Sequence, residues 1–358
     1  MIDLTTYGYI QDQPAPDGLL PGRVIEQHGA LYAVVTERGE VTASVTGAYQ
    51  FAAQERGDYP CVGDFVSVQY NEAGDSRITG LLPRRSAFSR ADFSGHAAGY
   101  AKTVLEQVVA ANFDYVFILS SLNRDFRVNR IVRYLTQTLR SGGTPVVILT
   151  KSDLTDDASP YIGQVREAAP DVSIHAVSSY TGDGIGDLGA YLRPWKTVVF
   201  LGMSGVGKSS LLNALAGEDL MTVRETRSED VSKGSHTTTH RQLFMLPSGA
   251  MVIDTPGMRE LGLFDADEAV SAGFTDVEDF ISACRFSDCR HASEPGCAVL
   301  AALEDGSLPH ARWERYLAQR REIRFVENRS AYMRGKRDFQ KSIATHTKHE
   351  KKMGRIKR

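Results

Sequence analysis

Gly202-Met203-Ser204-Gly205-Val206-Gly207-Lys208-Ser209 is a complete G-x-x-x-x-G-K-S phosphate loop. The apolar run Thr197–Leu201 precedes it and Ser209-Ser210-Leu211-Leu212 opens a helical pattern behind it, the strand-to-helix context that this loop needs. Its glycines let the main chain wrap phosphates with N–H groups, and the helix N-terminus adds positive potential. Lys208 is placed to reach the β and γ phosphates of a nucleotide and Ser209 to hold Mg²⁺. Gly202 to Ser210 are therefore the candidate phosphate-binding residues.

Two further motifs belong with this loop. Asp254-Thr255-Pro256-Gly257 closes the apolar strand Met251–Ile253, where Asp254 can act on Mg²⁺ and Gly257 can offer its N–H to the γ phosphate. Thr150-Lys151-Ser152-Asp153 ends the run Pro145–Leu149. Asp153 can accept both N1–H and N2–H₂ of guanine, a donor pair that adenine lacks. A wrong base leaves the carboxylate unpaired, at a cost of about 2–5 kcal/mol. The stem of Lys151 can cover the base, and Ser178-Ser179, after the next strand, can back it with main-chain N–H groups. In an ordinary GTPase the phosphate loop comes first and the base motif follows. Here the base motif comes first, which is the rotation of chain order that a circular permutation produces.

Around these motifs, continuous apolar runs at Tyr115–Ser120 and Pro145–Thr150 read as buried parallel strands, and further strands are expected at Val172–Val177, Thr197–Leu201, Gln242–Leu246 and Met251–Asp254. Helices fit at 160–168, 185–193 and 207–216, and Val128, Ile131, Leu135 and Leu139 recur at helical spacing. The alternation implies a doubly wound sheet. Between phosphate loop and D-x-x-G, residues 220–241 lack apolar periodicity and end in Gly234-Ser235-His236-Thr237-Thr238-Thr239-His240, the place for a switch loop. Thr238, with Thr239 close behind, is the candidate to close on Mg²⁺.

The flanks differ in kind. Five short strands between residues 23 and 82 suggest a small closed barrel, OB or SH3-like. Residues 86–103, rich in Ser, Gly and Ala, read as a linker. After 263 the strand signal gives way to polar helices, with Trp313, Leu317 and Tyr316 as a core stripe. Cys284-x4-Cys289-x-His291-x5-Cys297 offers three thiolates and an imidazole, which suits one structural tetrahedral Zn²⁺ with no open position. Cys61 stands apart as a small buried residue. Residues 311–358 carry a net charge of +11 while the rest carries −14, so the tail is expected to meet a polyanion. The N-terminus has no basic start or apolar core, and no apolar run approaches the ~18 residues of a membrane span. A cytoplasmic location without membrane contact is expected.

Together these motifs closely resemble the RsgA (YjeQ) family of small ribosomal subunit biogenesis GTPases, over nearly the whole chain. The resemblance implies an N-terminal OB fold over 1–90, a circularly permuted GTPase domain over 98–262 and a zinc-binding domain with a basic tail over 263–358. It also implies GTP hydrolysis to GDP stimulated by the 30S subunit, contact with 16S rRNA, a late checkpoint in subunit maturation, and a monomer. Two positions need comment. Thr150 stands where N-K-x-D has Asn, which keeps an oxygen but loses the amide donor that ties base loop to phosphate loop. Met258, after D-x-x-G, cannot orient water, so His236 is the candidate for that role.

Overall fold

The computed structural model describes residues 1–10, 15–53, 56–92, 105–123, 126–220, 241–254, 270, 273–286, 288–321 and 323. Alternation of inward Val24, Val34, Ala43, Val66, Val68 and Ile78 curls the first five strands around an apolar centre. These are β1 (Leu20–His28), β2 (Leu31–Thr36), β3 (Gly39–Val45), β4 (Phe65–Gln69) and β5 (Ser76–Leu81). They pair in the order β1-β2-β3-β5-β4, and β1 closes on β4. A helix, α1 (Gly47–Ala52), links β3 to β4 and is capped by the Thr46 hydroxyl accepting from Tyr49 N at 3.2 Å. Closure in this order, with parallel β3 and β5, selects the OB barrel over the SH3-like alternative.

The α/β unit is built on β8 (Tyr115–Ser121), β9 (Thr144–Thr150), β10 (Ser173–Val177), β11 (Thr197–Leu201), β12 (Arg241–Met245) and β13 (Met251–Asp254). The spatial order is β10-β9-β8-β11-β13-β12, parallel except for β12. Successive residues serve opposite faces: Phe117, Leu119, Val198 and Phe200 meet one core, Ile118, Val199 and Leu201 the other. Helices α2 (Val128–Ser141) and α3 (Ser159–Ala168) cover the second face, and α4 (Lys208–Ala216) the first.

Three expectations are corrected. The stretch read as a linker contains β6 (Ala87–Asp92), which pairs antiparallel with β7 (Leu105–Ala111), and Phe88 is buried in the α/β core. The helix expected over 185–193 is only a 3-10 turn, Gly186–Ala190, in a stretch with Gly184, Gly186, Gly189 and Pro194. In the C-terminal unit, α5 (Thr275–Ser282) and α6 (Ala298–Asp305) pack with a helix over 310–321, here α7. Trp313 and Tyr316 are buried there, but Leu317 is exposed. The inward face of α7 is completed by Arg312 and Gln319, polar residues that periodicity does not mark.

Two junctions hold the units together. A bulge between Val24 and Glu26 turns β1 away from β4, and its far half pairs with β12 through Glu26↔Gln242 and Gln27↔Arg241. Barrel and α/β unit thus share one 11-stranded sheet. Beside the ladder lies Arg23, fully buried. Its guanidinium donates to Tyr7 O, to Asn112 O at 3.0 Å and to Thr197 Oγ1 at 3.0 Å. Burial, then neighbouring Arg85, pushes its pKa down to about 9, so it stays charged at neutral pH. Gly63, at φ +93°, packs against β7, and a Cβ there would lie 2.1 Å from Ala111 O. The second junction uses side chains. Arg312 donates two parallel hydrogen bonds to the Asp276 carboxylate, at 2.7 and 3.0 Å, and a further one to Ala168 O at the end of α3. The Thr136 hydroxyl donates to Gln319 Oε1, and Arg315 donates to Asn129 at 3.3 Å. A cavity of about 300 Å³ remains beside Arg312.

Candidate functional site

The parallel strands place the chemistry at their C-terminal ends, where crossovers leave an open crevice. Leu201 ends β11 and the phosphate loop follows. Gly202 is in close contact, since a Cβ there would meet Leu119 O at 3.0 Å and Val206 at 2.9 Å. Gly205 and Gly207 take left-handed conformations, with φ +78° and +106°. Gly207 is also the N-cap of α4, with no side-chain cap bond, so the first N–H groups of the helix face the loop. Lys208 Nζ folds back on the loop and donates to Gly202 O at 2.8 Å and Met203 O at 3.0 Å. A glycine cradle, a helix N-terminus and a lysine converge on one concavity, which fits a chain of phosphates.

Asp254 ends β13, is buried, and lies in register with Phe200, two residues before Gly202. It therefore ends the strand neighbouring the one that leads into the phosphate loop. Gly257, Met258, His236, Thr238 and Thr239 lie outside the described residues.

The base half is formed by the ends of β9 and β10. Thr150 is buried and its hydroxyl donates to Val206 O of the phosphate loop at 2.6 Å. The tie expected to weaken without asparagine is therefore present, made by the hydroxyl alone. Lys151 has φ +59°, which turns the chain sharply between Thr150 and Asp153. Asp153 accepts from the Ser178 hydroxyl at 2.5 Å, and that oxygen in turn accepts from Tyr180 N at 3.2 Å and Thr181 N at 3.1 Å. Ser178 N–H is given to Asp183 O at 3.0 Å. Ser178 thus acts through its hydroxyl, and of the pair only Ser179 is left to offer a main-chain N–H to a base. The sequence reading missed the Ser178–Asp153 bond, for which nothing in the spacing is a signal.

The Cys/His cluster forms a separate site. Cys284, Cys289, His291 and Cys297 bring their donor atoms within 4.8 Å of one another. Cys284 Sγ and Cys297 Sγ are 3.8 Å apart, and His291 Nδ1 is 3.6 and 3.5 Å from them. A tetrahedral zinc ion, with Zn–S of about 2.3 Å and Zn–N of about 2.05 Å, requires edges of about 3.8 Å for S···S and 3.6 Å for S···N. The donor set fits. Local geometry prepares it: His291 has φ +57°, and Glu294 accepts from Ala292, Ser293 and Arg290 N–H groups, which hold its carboxyl down to about 2. The His291 ring also meets Trp313 edge to face at 5.5 Å.

Strand order and loops define a P-loop GTPase whose chain is circularly permuted. A family model described as the RsgA GTPase matches residues 81–264. The chain is 43% identical to the small ribosomal subunit biogenesis GTPase RsgA 2 of Listeria monocytogenes, over 91% of this chain and 92% of that protein. It is 42% identical to the RsgA of Streptomyces avermitilis, over 95% and 92%. The crystal structure of YjeQ from Thermotoga maritima superposes with a TM-score of 0.60 at 27% identity, covering 84% of this chain and 96% of that one. YloQ, a circularly permuted GTPase, shares the fold at 24% identity and a TM-score of 0.60. The chain belongs to the RsgA GTPase family, whose members hydrolyse GTP.

Proposed function

We propose that this GTPase acts in biogenesis of the small ribosomal subunit. It hydrolyses GTP to GDP and phosphate under stimulation by the 30S particle, as a late maturation checkpoint that contacts 16S rRNA. The observation that carries this reading is the likeness, over nine-tenths of the chain, to proteins named for that role. The three-part division over 1–90, 98–262 and 263–358 gives RNA contact to the barrel and basic tail, chemistry to the α/β unit, and a zinc-stapled support to the helices. The protein works as a cytoplasmic monomer. Among the described residues no helix is long and apolar enough to cross a membrane.

In this reading Asp153, aligned by Ser178, reads guanine, with Lys151, Ser152 and Ser179 around the base. Thr150 fixes that loop relative to the phosphates. The loop from Gly202 to Ser210 wraps the phosphates, and Lys208 carries the positive charge to β and γ. Ser209 and Thr238 would hold Mg²⁺, with Asp254 acting on it through water, and the ion would supply charge neutralisation at the phosphates. Gly257 senses the γ phosphate, and His236 orients water, which contributes roughly 10²–10⁴-fold. Cys284, Cys289, His291 and Cys297 hold one structural Zn²⁺.

The test is GTP and ATP hydrolysis measured with 30S, with 50S and with no ribosome. Strong stimulation by 30S alone, and of GTP alone, is expected. Lys208→Ala abolishes turnover, Asp153→Asn relaxes base choice, and His236→Ala lowers 30S-stimulated single turnover while GTP affinity holds. Equal use of ATP would overturn the base assignment, and equal stimulation by 50S would overturn the subunit assignment.

A further inference from the structure

The nucleotide loops occupy one end of the sheet. At the other end, where β11 and β13 begin, the chain makes a turn through Arg193, Pro194, Trp195 and Lys196. Lys196 N–H donates to Arg193 O at 3.2 Å, Pro194 is second, and Trp195, third, has φ +69°. This is the arrangement of a type II turn, whose third position calls for glycine because a Cβ is disfavoured at positive φ. Tryptophan stands there instead. Its N–H donates to Gly249 O at 3.0 Å, and its carbonyl packs on Gly8, which has φ +76°. The backbone is thus held in an unfavourable conformation from two sides.

Core packing does not account for the indole. Trp195 is 60% exposed, and the hydrophobic clusters of the described residues do not contain it. Basic residues flank it in the chain, as Arg193 and Lys196, and Arg85 approaches from the neighbouring turn at Gly8. Arg193 is exposed, Arg85 is exposed and reaches Gly8 O at 3.4 Å, and the Lys196 side chain remains 44% exposed. The nearby acid, Asp114, is engaged by Lys196 Nζ at 2.7 Å and Thr197 N–H at 2.9 Å. An exposed tryptophan on a strained backbone, with exposed Arg193 in its own turn and exposed Arg85 at the adjoining one, suits a ligand that brings both a π-face and a negative backbone.

We propose that Trp195 is a stacking platform for an unpaired nucleobase of RNA, with Arg193 and Arg85 meeting the adjacent phosphates. This rests on the reading of the chain as a ribosomal-subunit GTPase. Stacking accepts any base, so the platform selects single-stranded or flipped-out nucleotides rather than a sequence. It lies behind the sheet, on the start of the two strands that end at the phosphate loop and at Asp254, so RNA and nucleotide occupy opposite ends of the same strands.

The chain has two tryptophans, Trp195 and the buried Trp313, so emission from an exposed indole reports Trp195. Titration of the full chain with a short single-stranded RNA of mixed sequence is expected to quench that emission. Trp195→Gly suits the left-handed backbone and so preserves the fold, with basal GTP hydrolysis as the check. It should lower affinity for a labelled copy of the same RNA by about tenfold, the loss of one base stack, with the slope of log affinity against log salt unchanged. Trp195→Phe should restore part of the loss, and Arg193→Ala should instead reduce the slope by about one. RNA binding that leaves the emission unchanged overturns the platform while the rRNA reading stands. Loss of 30S binding in Trp195→Gly with no RNA effect assigns the surface to a ribosomal protein and also overturns it. A wild-type chain that binds neither RNA nor 30S removes the reading beneath the proposal.

Discussion

The barrel meets the α/β unit through a shared strand ladder with one buried arginine beside it, whereas the helical unit meets it without a ladder, through side chains. At the first junction, β1 continues the sheet beyond β12, Gly63 lies against Ala111, and Arg23 is enclosed by acceptors from both units. At the second, Arg312, Gln319 and Arg315 reach across to α2 and α3 beside a cavity of about 300 Å³. A strand ladder has one register, and its bonds do not depend on which side chains flank it. A side-chain latch can yield one bond at a time. The first junction should therefore fail all at once and the second by degrees.

The largest expected effect separates the two junctions entirely. A structural zinc contributes about 10–16 kcal/mol of apparent binding free energy, much of which is folding free energy. Chelation should therefore unfold the chain beyond about residue 270 and leave barrel, sheet and GTP binding in place. Limited proteolysis, metal analysis and nucleotide affinity on one sample check this. A wild-type chain that stays folded without metal removes the staple from the account.

Gly63→Ala attacks the other junction. The new Cβ has no room beside Ala111 O and the backbone is left-handed, so a loss of about 3–5 kcal/mol is expected. Denaturant unfolding measures it. If barrel and sheet behave as one body, the variant still unfolds in a single transition for both. Two separate transitions would show that the shared strand does not couple them.

Asp276→Asn should have the smallest effect. Partial burial opposes ionisation, but the bonds from Arg312 hold the Asp276 carboxyl below its ordinary 3.8. Its contribution is therefore present above about 3.8 and is lost as pH falls through the lower folded value. Because Asp276 is 45% exposed, screening reduces the loss in the variant to about 1–2 kcal/mol at neutral pH. The hydrogen-exchange protection of α7, taken relative to the intrinsic rate at each pH and lower in the variant and in acid, is the measurement. Equal exchange in both would place the hold on Gln319 and Thr136 instead.

The two junctions also differ from the site in how legible they are in the sequence. Strands such as Thr197–Leu201 and Met251–Asp254 declare themselves by continuous apolar residues, and the phosphate loop by glycine spacing, because both are local. Arg23 does not: its partners Asn112 and Thr197 lie 89 and 174 residues away. Arg312 and Gln319 read as surface polar residues of a helix, and Leu317 as core, until the position of α2 is known. β6 was concealed by a composition of Ser, Gly and Ala that suggests a connection. The Thr150 substitution shows the same limit on a smaller scale. The missing amide is evident from the sequence, but the hydroxyl bond to Val206 O is a matter of 2.6 Å in space.

The rotated strand order also governs the sequence of events as the chain is synthesised. The barrel is complete at Leu81, and β8, β9 and β10 follow, but β11, which must insert between β8 and β13, comes later. Until then the nascent chain holds the half that reads a base and none of the half that grips phosphates. Arg23 waits for Thr197 and for Met251, 228 residues downstream, whose sulfur accepts from it at 3.2 Å. A charged side chain cannot be buried without such partners, so this face of the newborn barrel must stay hydrated. The junction between barrel and enzyme can therefore close only when β13 has emerged, and a truncated chain is left open at both.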